Sequence, residues 1–200
     1  NNLFIHRPGN TGIGLFANMR GKVTNLVLKN ASVNGSSSVG SVAGINSGVM
    51  TGCRIGGSTV RGDHSVGGAV GNNRASIGQS SYSGMVSGKS AVGGFLGVNE
   101  NLGAGAQLAD GALAASVTGC SASAAILGTT DRIGGFVGDS TGGTINSCFA
   151  SGNGVSGEKW VGGFIGVNRG DSSVLYCYAV CGVFGKSNSG GFAGLGDDVA

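Results

Sequence analysis

One hexad returns along this chain: Val39-Gly-Ser-Val-Ala-Gly44, Val66-Gly-Gly-Ala-Val-Gly71, Val92-Gly-Gly-Phe-Leu-Gly97, Ile133-Gly-Gly-Phe-Val-Gly138, Val161-Gly-Gly-Phe-Ile-Gly166 and Ser189-Gly-Gly-Phe-Ala-Gly194. The starts lie 27, 26, 41, 28 and 28 residues apart. Residues 12–17 form a weaker copy, 27 residues before Val39. A fixed internal period of this length means stacked units, each contacting its neighbours, rather than one globular core. The long interval reads as one period plus an insertion over residues 100–114.

Two more registers run beside the hexad. One is Leu26, Cys53, Ser80, Cys120, Cys148 and Cys177; the other is Val33, Val60, Val86, Ile126, Val155 and Val183, each followed two residues later by glycine. Each period thus holds three short apolar segments separated by Gly, Ser and Asn. Three strands with turns between them close one coil of a solenoid. The predicted fold is a single all-β domain over residues 1–200, a right-handed parallel β-helix with three strands per coil. It has about six coils of 26–28 residues.

Stacked coils place equivalent residues on rungs about 4.8 Å apart, which rewards identical side chains in ladders. Phe95, Phe136, Phe164 and Phe192 form one candidate ladder, and Cys120, Cys148 and Cys177 another. Asn46, Asn73 and Asn99 recur after the hexad, and Asn168 returns there. Glycine is expected to supply the positive φ angles of the corners. The Cys register is placed inward, because small or apolar residues share its face. Within the hexad, read as one strand, both faces are apolar. The outer one is either bared by glycine or packed on another chain.

Composition narrows the function. Of 200 residues 44 are glycine and one is proline, without a three-residue glycine period, so collagen is excluded. Hydrophobic residues reach 40%, too many for a disordered chain. The net charge is +3 and the basic residues are scattered, so no nucleic-acid partner is expected. No window is long and apolar enough to insert in a membrane as a helix.

The runs Gly142-Gly-Thr-Ile-Asn-Ser-Cys-Phe-Ala-Ser-Gly152, Val155-Ser-Gly157 and Val161-Gly-Gly-Phe-Ile-Gly-Val-Asn168 resemble GLUG-motif repeats. Those repeats occur in bacterial surface proteins, including adhesins and the non-catalytic part of immunoglobulin-A-specific metallopeptidases. The resemblance covers residues 12–194 and departs at the insertion. It implies an exported, cell-surface, right-handed β-helical segment and no activity.

No catalytic constellation emerges. Asp63, Asp139 and Asp171 fall in different corners of the repeat, and Asp197 and Asp198 lie in the tail. His6 and His64 occupy different repeat positions, and no metal or cofactor is expected. The cysteines are expected to be reduced and buried, with Cys181, outside the register, the one to react. Two tripeptides, Arg61-Gly62-Asp63 and Arg169-Gly170-Asp171, fall in expected corner loops and resemble an integrin-binding motif. The insertion reads either as a tolerated excursion or as a flap. Residues 1–11 align with the third strand of a preceding coil, and 189–200 hold only the first strand of another. This layout predicts a piece of a longer protein, or a unit that stacks end to end. The expected function is a structural stalk or fibre segment, extracellular or on a cell surface. Its expected partners are the rest of the parent chain or stacked copies. The alternatives are a receptor-binding module acting through the Arg-Gly-Asp corners and a filament subunit.

Overall fold

The structure is a computed structural model that describes residues 2–101 and 115–196. Every strand pairing in it is parallel and joins residues one period apart. Val66 pairs with Val39 on one side and Val92 on the other, and Val60 with Val33 and Val86. Across the insertion the register resumes, with Leu96 opposite Val137 and Ser76 opposite Ser116. The stack on either side of residues 102–114 therefore keeps its rungs in register. The Asn101 side-chain oxygen accepts a bond from the Ala115 amide at 2.9 Å. Residues 102–114, Asp110 among them, and the tail acids Asp197 and Asp198 lie outside the described residues.

The result is a parallel β-solenoid of about six turns. A representative coil runs His64–Gly67, Val70–Asn73, Ser76–Gly78 and Ser81–Gly88. The first two segments are the hexad, broken by a bend at its third and fourth residues. The reason is steric. A Cβ on Gly67 would lie 2.6 Å from the Gly97 nitrogen, and one on Gly71 would collide with the Val39 nitrogen. The two halves of the hexad thus run backbone against backbone, a separation only glycine permits.

That bend corrects the expectation of an apolar outer face on the hexad. Val92, Phe95 and Leu96 are all fully buried, as are their counterparts in the next two coils. Bending turns both sets of side chains inward, so neither bareness nor a covering chain is needed. The rings of Phe95, Phe136, Phe164 and Phe192 stack face to face, with centroids 5.1, 5.0 and 5.0 Å apart. That spacing is set by the rungs themselves. The third hexad residue packs on the residue two past the Cys register: a Cβ on Gly94 or Gly135 would lie 3.1 Å from the Cβ of Ala122 or Ala150. Tyr82 takes the equivalent place in an earlier coil. Its buried hydroxyl donates to the carbonyls of Ser58 and Met85, at 2.9 and 3.0 Å.

The weak first copy starts at Ile13, which pairs with Val39, one residue later than the sequence spacing suggests. The corners carry a further correction. The residue just before the hexad has positive φ in every coil, yet it is Gly12 once and then Ser38, Ser65, Ala91, Arg132, Trp160 and Asn188. The residue before the Cys register behaves likewise, through Asn25, Gly52, Gln79, Gly119, Ser147 and Tyr176. A left-handed residue costs roughly 1–2 kcal/mol when it is not glycine. Cooperative packing of the coils offsets that cost, and no β-branched residue stands at these positions.

Candidate functional site

The first Arg-Gly-Asp tripeptide closes the segment Arg54–Arg61 and leads into His64–Gly67. Its glycine belongs to a register, Gly35, Gly62, Gly88, Gly128, Gly157 and Gly185, that faces the core. A Cβ on Gly62 would lie 2.9 Å from a methyl of both Val39 and Val66. Asp63 faces outward in a ladder between Ser36 and Lys89. Its carboxylate pairs with the Lys89 ammonium at 2.8 Å and accepts from the Ser36 hydroxyl at 3.4 Å. The hydrogen bond from Lys89 holds its pKa below the usual aspartate value. Arg61 is exposed and forms no ion pair among the described residues. Arg61, Asp63, Ser87 and Lys89 flank an open groove of about 520 Å³ that runs from Pro8 to Thr129.

The second tripeptide is not in a loop. It lies inside the continuous segment Ile165–Leu175, where one extra residue bulges between the pairs Ser140–Asn168 and Gly142–Asp171. Gly170 takes φ 64° there. Arg169 turns away from Asp171 and donates to Asp139 at 2.8 Å. Each tripeptide therefore has one of its two charges engaged, and they present different backbones.

Asp139 is the most buried carboxylate among the described residues, at 4% exposure. It holds two guanidinium groups, Arg132 at 3.2 Å and Arg169 at 2.8 Å. Arg132 also donates to the Ser90 hydroxyl at 2.7 Å. The group thus fastens three successive coils. Reasoning from the sequence missed it, although an acid in the otherwise uncharged row Ile45, Asn72, Val98, Asp139, Val167 was a visible signal.

The asparagines form a bonded column. Asn46 donates to the Asn73 oxygen at 2.7 Å, and Asn73 to Asn99 at 2.8 Å. Asn99 then donates to the Gly142 carbonyl at 2.8 Å, because Ser140 occupies the next rung. Asn168, opposite Ser140, bonds instead to the Ser172 carbonyl at 3.5 Å. Cys53, Cys120 and Cys148 are buried, Cys177 and Cys181 half-buried, and all five are free thiols. The sulfur of Cys148 accepts from the Cys120 amide, and that of Cys177 from the Cys148 amide, both at 3.4 Å. Contact with the Cys120 thiol pushes the Cys148 thiol up to about 12. The Cys181 thiol donates to the Gly163 carbonyl at 3.2 Å, and burial raises its pKa.

Most acids of known placement are spent on cations. Glu100 pairs with Arg74, Asp131 with Arg132 and Glu158 with Lys186. His6 faces the Asn34 amide at 3.4 Å. Among the described residues no group of three or more His, Cys, Asp or Glu converges as a metal site would require.

No protein-family model matches the chain, so the likeness to GLUG-motif repeats rests on the residues quoted above. No solved structure matches it either. The chain is similar to halomucin of Haloquadratum walsbyi, strain DSM 16790 / HBSQ001, at 43% identity over 77 residues. That match covers 38% of this chain and 1% of halomucin.

Proposed function

We propose that this chain is a rigid, non-catalytic spacer in an exported surface protein. The observation that carries this reading is the unbroken column of backbone bonds along the stack. It runs from the Phe16 amide on Val42 through Val42 on Ala69, Ala69 on Phe95, Phe95 on Phe136 and Phe136 on Phe164 to Phe164 on Phe192. Such a column resists bending and needs no active site to be useful. The similarity to halomucin and the resemblance to GLUG-motif repeats support a place at the cell surface. The scattered, cation-paired acids support a non-catalytic role. The natural partners are further coils, whether of the parent chain or of another copy.

Integrin-type adhesion through the tripeptides is the weaker reading, since Lys89 holds Asp63 and Asp139 holds Arg169. Small-angle scattering over a dilution series tests the spacer. A monomeric rod about 30 Å long is expected from six rungs, and filaments would instead make it an assembly subunit. Protease shaving of intact cells carrying the parent protein tests its location: a segment that stays protected is not at the surface.

A further inference from the structure

We propose that the groove over Gly35, Gly62 and Gly88 binds a linear acidic glycan lying parallel to the solenoid axis. The groove exists because these three positions cannot carry a side chain. A Cβ would meet Ile13 and Val39 at 2.8 Å from Gly35, Val39 and Val66 at 2.9 Å from Gly62, and Val92 at 2.9 Å from Gly88. The glycines face the core and leave bare backbone as a floor. The residues on either side of them point outward and form walls. Asn34, Arg61 and Ser87 stand on one side, Asp63 and Lys89 on the other. With a rung spacing of about 4.8 Å, the run from the Gly35 coil to the Thr129 coil is roughly 14 Å long. That is room for a chain of sugars rather than a single one.

Two observations choose the ligand. The axial amides of the floor are already bonded within the stack: Gly35 donates to Arg61, Gly62 to Ser87 and Thr129 to Gly88, at 3.0, 3.1 and 3.0 Å. A peptide that binds by adding a strand needs an open edge, and this floor has none. Recognition must come from side-chain amide, hydroxyl, guanidinium and ammonium groups, which match the hydroxyls and carboxylates of a glycan. Charge selects the acidic kind. Arg61 has no ion-pair partner among the described residues, while Lys89 is shared with Asp63, which leaves the groove one net positive charge. The site is independent of the spacer role, since a spacer can carry a glycan strip or lack one.

The test is titration calorimetry of the whole chain with tetragalacturonate, maltotetraose and tetraglutamate. Binding of tetragalacturonate is expected, at least about tenfold tighter than either of the others and weakening with salt. Arg61→Ala and the milder Arg61→Gln should each weaken it about tenfold, the loss of one charge-assisted contact. Ser87→Trp should block the groove from its wall without entering the core, and an unchanged circular dichroism spectrum checks that each variant is folded. No binding, equal binding of maltotetraose, equal binding of tetraglutamate, or an unaltered affinity in both Arg61 variants would each overturn the proposal.

Discussion

Removing the middle amide of the asparagine column should cost far more than removing its end. Asn73 accepts from Asn46 at 2.7 Å, donates to Asn99 at 2.8 Å and donates to the Ala75 carbonyl at 3.0 Å, all in a fully buried corner. Asn73→Ala therefore strands the Asn46 amide, the Asn99 oxygen and the Ala75 carbonyl at once. An orphaned buried polar group costs about 1–3 kcal/mol, so the loss should be about 3–5 kcal/mol. Asn46→Ala releases one cross-coil bond and the one its oxygen accepts from the Gly48 amide at 3.1 Å, and leaves Asn73 bonded to Asn99. Its cost should be about 1–2 kcal/mol. A domain of this size holds roughly 10–15 kcal/mol in all, so both shifts are measurable. Urea unfolding followed by far-ultraviolet dichroism gives the global midpoint, and the fluorescence of Trp160, the only tryptophan, reports a distant coil separately. Loss of dichroism ahead of the Trp160 signal would show that coils near Asn73 melt alone, as expected where stability is summed over neighbours. If Asn73→Ala costs no more than Asn46→Ala, the column is not a cooperative unit and the argument fails.

Other perturbations follow from the same packing. Phe136→Ala, stacked on both sides, should lose about 3–5 kcal/mol in thermal unfolding, and Phe192→Ala, stacked on one side, distinctly less. Gly62→Ala should lose about 1–3 kcal/mol by overpacking against Val39 and Val66, whereas Gly21→Ala, which meets nothing within 4 Å, should not. Loss of cell attachment on changing Gly62 would then report unfolding rather than a receptor contact. The Asp63 carboxyl should titrate below the usual aspartate value by carbon-13 resonance, and Lys89→Ala should return it upward. Its contribution to stability is present above the unfolded aspartate pKa and is lost as pH falls through the lower folded one. A thiol reagent at neutral pH should label Cys177 and Cys181 slowly, and Cys53, Cys120 and Cys148 only on unfolding.

The coils, their count and the inward Cys register were legible because a ladder writes itself into the sequence as a period. Val33, Val60 and Val86 match along the chain because they touch across rungs. Geometry inside the period was harder to read. Alternation gave the hexad an outer apolar face, because nothing in a periodicity of two announces a bend. Only the absent Cβ atoms at Gly67 and Gly71, seen against facing backbone, reveal that the strand folds at that point. The positive-φ corners hid for the opposite reason. Serine, glutamine, tryptophan and tyrosine carry no local signature of that conformation, and the stack imposes it. Of the candidate sites, the tripeptides were legible as words, but their partners Lys89 and Asp139 come from other coils, where no local motif could place them.

The direction of the backbone bonds has a mechanical consequence. Nearly every one of them points along the axis, so a pull on the two ends loads them lengthwise, one rung at a time. A coil that lets go releases about 27 residues, roughly 90 Å of slack when drawn straight, in place of a rung about 4.8 Å thick. The coils beyond it keep their packing, since each leans only on its neighbours. Under tension the rod would pay out like a coiled tether, in steps of one turn, and rewind from the coils that remain.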